Sequence, residues 1–345
     1  NQLFVLKGNE REQVNELGAG SIGALVKLKN TSSGDTLADP SNPVKLDKIE
    51  FPNPVAKIAI EGESEKDNDK ISKGLSKLRK SDPTLNYNFD SEAKQLILET
   101  MGEQQHLQFV KFWLEENFDV NLIESKPAVH YRETIQKNAE GQAKFKKQTG
   151  GRGQYGEVFL KIEPLERGKG TEFEDQIKGG NIPNKYVPSV ETGVNEALLS
   201  GTLAGFPVVD CKVIVYDGSY HPVDSSDNAF KRAGSMALKQ ALLNASPFLL
   251  EPILKIQVVI TDEYTGDVMG DLNSKRGRIL GIDARGKFQV INAYVPEKEM
   301  FKYSSRLRSL TQGTGTYSAE FAFYERVPEE IAKEIIEQRK SEKEE

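Results

Sequence analysis

Residues 50–125 and 251–328 carry the same succession of hydrophobic patterns: strand, helix, strand, strand, helix, strand. In the first stretch Val55-Ala56-Lys57-Ile58-Ala59-Ile60 alternates with a period of two, as a half-buried strand does. A helical pattern over 66–79 follows, with Ile71, Leu75 and Leu78 on one face, and Ser81-Asp82-Pro83 stops it. Strands are predicted at 85–88 and 96–99, a helix at 103–118 and a strand at 120–123. The second stretch predicts strands at 253–260, 278–282, 288–293 and 317–323, with helices at 264–276 and 297–310. Both orders are βαββαβ, the ferredoxin-like arrangement.

The other segments differ. Residues 1–46 read as β, with strands at 3–6 and 22–28. So few strands cannot close a barrel and would leave open edges, so this piece is expected to be the remnant of a truncated β-domain. Residues 126–250 predict an α/β domain with strands at 129–134, 143–147, 158–162 and 208–216. Its helices are placed at 189–203 and 226–244, the second with Phe230, Ala233, Ala237 and Ala241 on its apolar face. Residues 329–345 read as an acidic tail, a solvated helix fraying into disorder, though Ile331, Ile335 and Ile336 could dock one short face. The expected fold class is therefore α+β multidomain: a β-barrel remnant, a ferredoxin-like unit, a ribosomal-protein-like α/β domain and a second ferredoxin-like unit.

The densest chemistry lies at Thr149-Gly150-Gly151-Arg152-Gly153-Gln154-Tyr155-Gly156. Glycines permit unusual backbone conformations and close approach. Arginine grips phosphate, and a tyrosine face can stack on a base. Lys144, Lys146 and Lys147 precede the loop and Val158-Phe159-Leu160-Lys161-Ile162 follows as a strand. A basic, flexible loop between two strands suits an anion or a nucleic acid, but a glycine hairpin with no ligand fits the spacing too. The glycines also satisfy the protein-kinase pattern G-x-G-x-x-G-x-V and the dinucleotide fingerprint. A kinase needs H-R-D and D-F-G motifs downstream, and neither is present. A dinucleotide site needs a helix after the glycines, where here a strand follows. A second stretch, Tyr220-His221-Pro222-Val223-Asp224-Ser225-Ser226, enters the helix at 226–244. Asp224, Ser225 and Ser226 suit helix capping. His221 beside open helix N–H groups also suits a phosphate or base. The predicted topology could bring both loops to one end of the domain.

The 345 residues carry a formal net charge of −6. A nucleic-acid surface would thus have to be local, and the balance is positive between Lys144 and Lys161. One cysteine, Cys211, excludes a disulfide framework. The three histidines, His106, His130 and His221, have no metal-ligand spacing, so no metal site and no catalytic residue is expected. No apolar run is long enough to span a membrane, no signal peptide is visible, and a cytoplasmic location is expected. No G-x-x-x-x-G-K-[ST] motif occurs.

On these motifs the chain resembles the C-terminal two-thirds of the elongation factor G family of translational GTPases. The residues that carry the likeness are Tyr131-Arg132-Glu133-Thr134-Ile135, the glycine loop itself, and Asp224-Ser225-Ser226 with Ala229-Phe230-Lys231. Gly266-Asp267-Val268-Met269-Gly270-Asp271-Leu272-Asn273 and Leu307-Arg308-Ser309-Leu310-Thr311-Gln312-Gly313 complete the set. The resemblance implies that 1–46 ends the second domain, while 50–125, 126–250 and 251–328 are the third, fourth and fifth. It implies ribosome binding through ribosomal RNA and protein, as a monomer, with the fourth domain's tip meeting transfer RNA and messenger RNA at the decoding site during translocation. The contact candidates it gives are Gly151, Arg152, Gly153, Gln154, Tyr155, His221, Asp224 and Ser225, with Lys146 and Lys147 beside them. GTP and magnesium would belong to an N-terminal domain outside this chain, which would not hydrolyse GTP alone. A paralogous elongation factor, a ribosome-protection factor or a free-standing RNA-binding module remain alternatives. The sequence departs from the family's usual pattern twice. His106 is shifted by one place, about 100° on a helix, and Pro222 follows His221, restricting it.

Overall fold

The computed structural model describes residues 2–51, 54–148 and 153–344. It divides into two compact units, Asn1–Pro127 and Ala128–Glu345.

The first unit opens with a three-stranded sheet of β1 (Leu3–Lys7), β2 (Glu10–Val14) and β3 (Ala24–Leu25), ordered β2-β1-β3. The strand expected at 22–28 is reduced to two residues. The polar strand β2, Glu-Arg-Glu-Gln-Val, has no alternating apolar pattern and went unpredicted. Next come β4 (Ala56–Gly62), α1 (Glu65–Ser81), β5 (Asn86–Asp90), β6 (Gln95–Thr100), α2 (His106–Phe118) and β7 (Leu122–Ser125). The sheet order β5-β6-β4-β7 is antiparallel throughout, so this is the ferredoxin-like unit. Ser64 caps α1 by accepting the Asp67 N–H, and Arg79 and Lys80 lie in its last turn, where cations suit the helix dipole. Ile71, Leu75 and Leu78 of α1 meet Leu107, Val110 and Leu114 of α2 over Ile58 and Leu98. The displaced His106 opens α2 and leaves its core face intact. Its Nδ1 accepts the Met101 N–H at 3.0 Å, and Nε2 stands 2.9 Å from the Asp82 carboxylate, tying the start of α2 to the end of α1.

In the second unit β8 (Arg132–Thr134), β9 (Ala139–Lys147), β10 (Gln154–Pro164), β11 (Thr171–Asp175), α3 (Val187–Leu198), β12 (Cys211–Ser219) and α4 (Asp227–Asn244) come first. A sheet ordered β11-β12-β10-β9 packs against α3 and α4. Val158, Leu160 and Ile162 of β10 and Val213 and Val215 of β12 meet Val190 and Val194 of α3 and Phe230, Ala237 and Ala241 of α4. Then β13 (Phe248–Thr261), α5 (Thr265–Ser274), β14 (Arg278–Arg285), β15 (Phe288–Pro296), α6 (Tyr303–Leu310) and β16 (Thr316–Arg326) repeat the antiparallel ferredoxin-like order, β14-β15-β13-β16.

The strand expected over 129–134 is shorter and reaches two ways. As β8 it pairs with Phe248, Leu249 and Leu250 of β13, and Glu133 also bridges to Val208 inside the middle domain, so that domain and the last sheet are joined here. The buried Glu133 side chain explains the fixed geometry there. Its carboxylate accepts the backbone N–H groups of Leu203, Ala204, Gly205 and Phe206 at 2.9–3.2 Å. Nearby, Arg276 grips the buried Glu251 with two bonds of 2.7 Å.

The acidic tail carries a helix that docks by a short apolar face, as Ile331, Ile335 and Ile336 allowed. It forms α7 (Glu329–Glu344), and Ile335, only 7% exposed, joins Tyr131, Ala204, Phe206, Leu249 and Val327 in one apolar cluster. The guanidinium of Arg339 lies 5.0 Å from the Phe206 ring centroid. A short apolar face is enough to hold a helix whose other faces are charged.

Candidate nucleic-acid interface

The strand directions place the two conspicuous loops together. β9 and β10 are antiparallel, with Lys147 opposite Gln154, so the described flanks of the glycine stretch meet at one end of the ladder. β12 runs antiparallel to β10 and finishes at Ser219 opposite Glu157, at the same end. The chain then turns into α4, whose N-cap is Ser226, accepting the Ala229 N–H at 3.3 Å.

The loops are joined by hydrogen bonds. Tyr155 N–H donates to the Asp224 carbonyl at 2.9 Å, and Gly153 N–H donates to the Asp224 carboxylate at 3.1 Å. The Ser225 hydroxyl, 3% exposed as a residue, accepts the His221 N–H at 2.8 Å and donates to the Tyr155 carbonyl at 3.0 Å. Two glycines permit this proximity. A Cβ on Gly153 would lie 2.9 Å from the Asp224 carboxyl carbon, and one on Gly156 would lie 3.0 Å from the Ala229 carbonyl carbon. Asp224 and Ser225 therefore act from within, holding one loop to the other.

His221 has the opposite character. It is exposed, and its Nδ1 accepts the N–H groups of Asp224 at 3.1 Å and Val223 at 3.3 Å. In the neutral ring this puts the proton on Nε2 as a donor. The same Nδ1 stands 3.3 Å from the Asp224 carboxylate. Tyr155 is more enclosed than a stacking platform would be. Its hydroxyl donates to Ser219 Oγ at 2.7 Å, and Ser219 in turn donates to Glu157 at 2.6 Å. That serine bond is the main reason the Glu157 carboxyl is held below the usual range. Lys144 covers the Tyr155 ring at 5.1 Å. The aromatic group that stands open here is Tyr220, 46% exposed, beside Val223, 60% exposed. Lys146 and Lys147 are exposed at the end of β9, and Gln154 is half-buried at the start of β10. Gly151 and Arg152 lie outside the described residues.

A third loop, 176–186, reaches the same end and was missing from the sequence reading. It follows β11, which runs parallel to β12. Asn181 donates to Asp217 at 2.7 Å, and the Tyr186 hydroxyl donates to the Ser225 carbonyl at 3.2 Å. The signal available was Lys178-Gly179-Gly180 after a strand. That strand, Thr-Glu-Phe-Glu-Asp, was too acidic to be predicted.

Among the described residues no group of three or more His, Cys, Asp or Glu side chains could hold a metal. Cys211 is fully buried, and burial pushes its thiol up to about 12. Also among the described residues, no helix is long and apolar enough to cross a membrane.

Comparison with known proteins agrees with this architecture. Residues 51–126 match the family model for elongation factor G domain III, 127–246 that for domain IV and 248–335 that for the elongation factor G C-terminus. A crystal structure of a Thermus thermophilus protein aligns with 99% of this chain at 40% identity and a TM-score of 0.83. The alignment covers 51% of that protein, so this chain spans about half of its length. Three consecutive family matches and a structural relative along almost the whole chain lead to one conclusion: the chain belongs to the elongation factor G family of translation factors, as a portion that carries domains III, IV and the C-terminal domain.

Proposed function

We propose that this chain is the ribosome-binding part of a translational GTPase that promotes movement of transfer RNA and messenger RNA. The observation that carries the reading is the joined pair of loops at one end of the 126–250 domain. It presents His221, Gln154, Lys146 and Lys147 on a rigid base. Nothing in this arrangement calls for covalent chemistry. The lysines and Arg152 hold phosphates, while His221 and Gln154 reach base or sugar groups. Tyr155, Asp224 and Ser225 fix the loops that carry those groups, and Gly151 and Gly153 let the loop approach RNA closely.

On this reading the partners are the ribosome, through its RNA and proteins, and the transfer RNA–messenger RNA duplex at the decoding site. The factor acts as a cytoplasmic monomer. GTP and magnesium belong to the nucleotide-binding domain of the parent factor rather than to the domains described here. The test is His221→Ala in the full-length protein. Loss of a base contact worth about 1–3 kcal/mol slows translocation by roughly five- to 150-fold, with thermal unfolding unchanged because the side chain is exposed. A normal rate would remove His221 from the mechanism. Absence of ribosome-stimulated GTP hydrolysis by the parent protein would overturn the GTPase reading.

A further inference from the structure

We propose that the loop 176–186 is a third RNA-contacting element, which takes phosphate groups through Lys178 and Lys185. The inference rests on the function proposed above and extends it to a part of the domain that carries no motif from the sequence reading. Four observations support it.

The loop is fixed to the interface. Ile182 is fully buried, Asn181 is bonded to Asp217, and Tyr186 reaches the Ser225 carbonyl that lies between the other two loops. Its outer part is shaped for display. Gly179 and Gly180 sit at φ of +77° and +73°, a left-handed pair that projects the turn into open space. The charge is one-sided, since Gln-Ile-Lys-Gly-Gly-Asn-Ile-Pro-Asn-Lys-Tyr contains two lysines and no acid. Finally, those lysines are uncommitted. Lys144, Lys161 and Lys212 on the strands each face a carboxylate. Lys146, Lys147, Lys178 and Lys185 are exposed and have no carboxylate partner among the described residues. Lys185 is held over the Tyr186 ring at 4.7 Å.

Together the loops line one end of the sheet from β9 to β11. That is three strand spacings, about 14 Å, so a phosphate backbone crossing this end meets lysines on both sides of His221. Phosphate contacts of this kind position a nucleic acid without reading its sequence.

The experiment uses the full-length protein with ribosomes carrying messenger RNA and transfer RNA. Binding is titrated over a range of monovalent salt for the natural protein and three variants. These are Lys178→Gln with Lys185→Gln, Lys146→Gln with Lys147→Gln, and Lys239→Gln on α4 as a control. Each lost single-strand phosphate contact lowers the slope of log affinity against log salt by about 0.7. The 178/185 variant is therefore expected to lose about 1.4, and the control nothing. A photo-crosslinker replacing Lys178 is expected to capture RNA. An unchanged slope for the 178/185 variant, with a reduced slope for the 146/147 variant, would overturn the third element and leave the proposed function standing. Capture of ribosomal protein alone from position 178 would also overturn it. Unchanged slopes for both double variants, with no RNA captured from position 178 or from a second photo-crosslinker replacing His221, would overturn the inference and the proposed RNA interface together.

Discussion

Ser225→Ala tests whether the two loops are held together as the geometry requires. The hydroxyl makes two hydrogen bonds, from His221 N–H at 2.8 Å and to the Tyr155 carbonyl at 3.0 Å. At a net value of about 1 kcal/mol each, removing both costs about 2 kcal/mol. The bond to Tyr155 crosses between the loops and the bond from His221 shapes the 220–226 loop itself, so the full cost falls on a local opening that frees both; Tyr155 N–H to Asp224 carbonyl is the backbone tie that remains between the loops. Amide hydrogen exchange reads such openings residue by residue. A loss of about 2 kcal/mol speeds exchange at Tyr155 and Ser225 by about thirtyfold, while amides in β12 and α3 keep their protection. His221→Ala serves as the comparison, because it leaves the serine bonds in place. Exchange at Tyr155 and Ser225 that is unchanged in Ser225→Ala would refute the claim that this serine joins the loops.

Three further outcomes are expected. Gly156→Ala places a methyl 3.0 Å from the Ala229 carbonyl carbon of α4, an overpacking worth about 1–3 kcal/mol, read as a lower urea midpoint. Glu133→Ala orphans four backbone N–H groups in a site 1% exposed and costs about 4 kcal/mol or more by the same measurement. Cys211 resists alkylation in the native chain and reacts on unfolding. Burial disfavours its thiolate and raises its pKa from 9.0 to about 12. Its contribution to stability is thus full below about pH 9 and is lost as pH rises from there towards 12. Labelling of Cys211 at neutral pH without unfolding would contradict this.

How much of this was legible in the sequence follows from what each pattern encodes. Strands buried on one face, such as Ala56–Gly62, and helices with a regular apolar stripe, such as Glu65–Ser81, could be read because burial imposes the period. Two polar edge strands could not. Glu10–Val14 and Thr171–Asp175 are polar because an edge needs no apolar partner on both sides. The partner of β8 was hidden for a different reason, since no local pattern tells a strand which sheet to join. Glu133 gave only the residue type of a charge, and its four amide donors come from about seventy residues away. The tail's helix and the three isoleucines of its short apolar face were legible, but not what receives them, since Tyr131 and Phe206 lie far away in the chain.

Within the candidate interface the residue types were legible and their roles were only partly so. His221 and the lysines are exposed, as a contact requires. The family resemblance grouped Asp224 and Ser225 with them as contact candidates, and the structure turns their side chains inward to the Gly153 amide and the Tyr155 carbonyl. Tyr155 has the chemistry of a base platform, but a bond to Ser219 and the cover of Lys144 give it a structural task.

The most direct test of the central claim is proximity on the ribosome. A cleavage reagent is attached through His221→Cys in a full-length protein otherwise free of reactive thiols, a design the buried Cys211 permits. The account predicts cuts in messenger RNA or transfer RNA at the decoding site when the factor is bound. Binding without cuts in either RNA would contradict it.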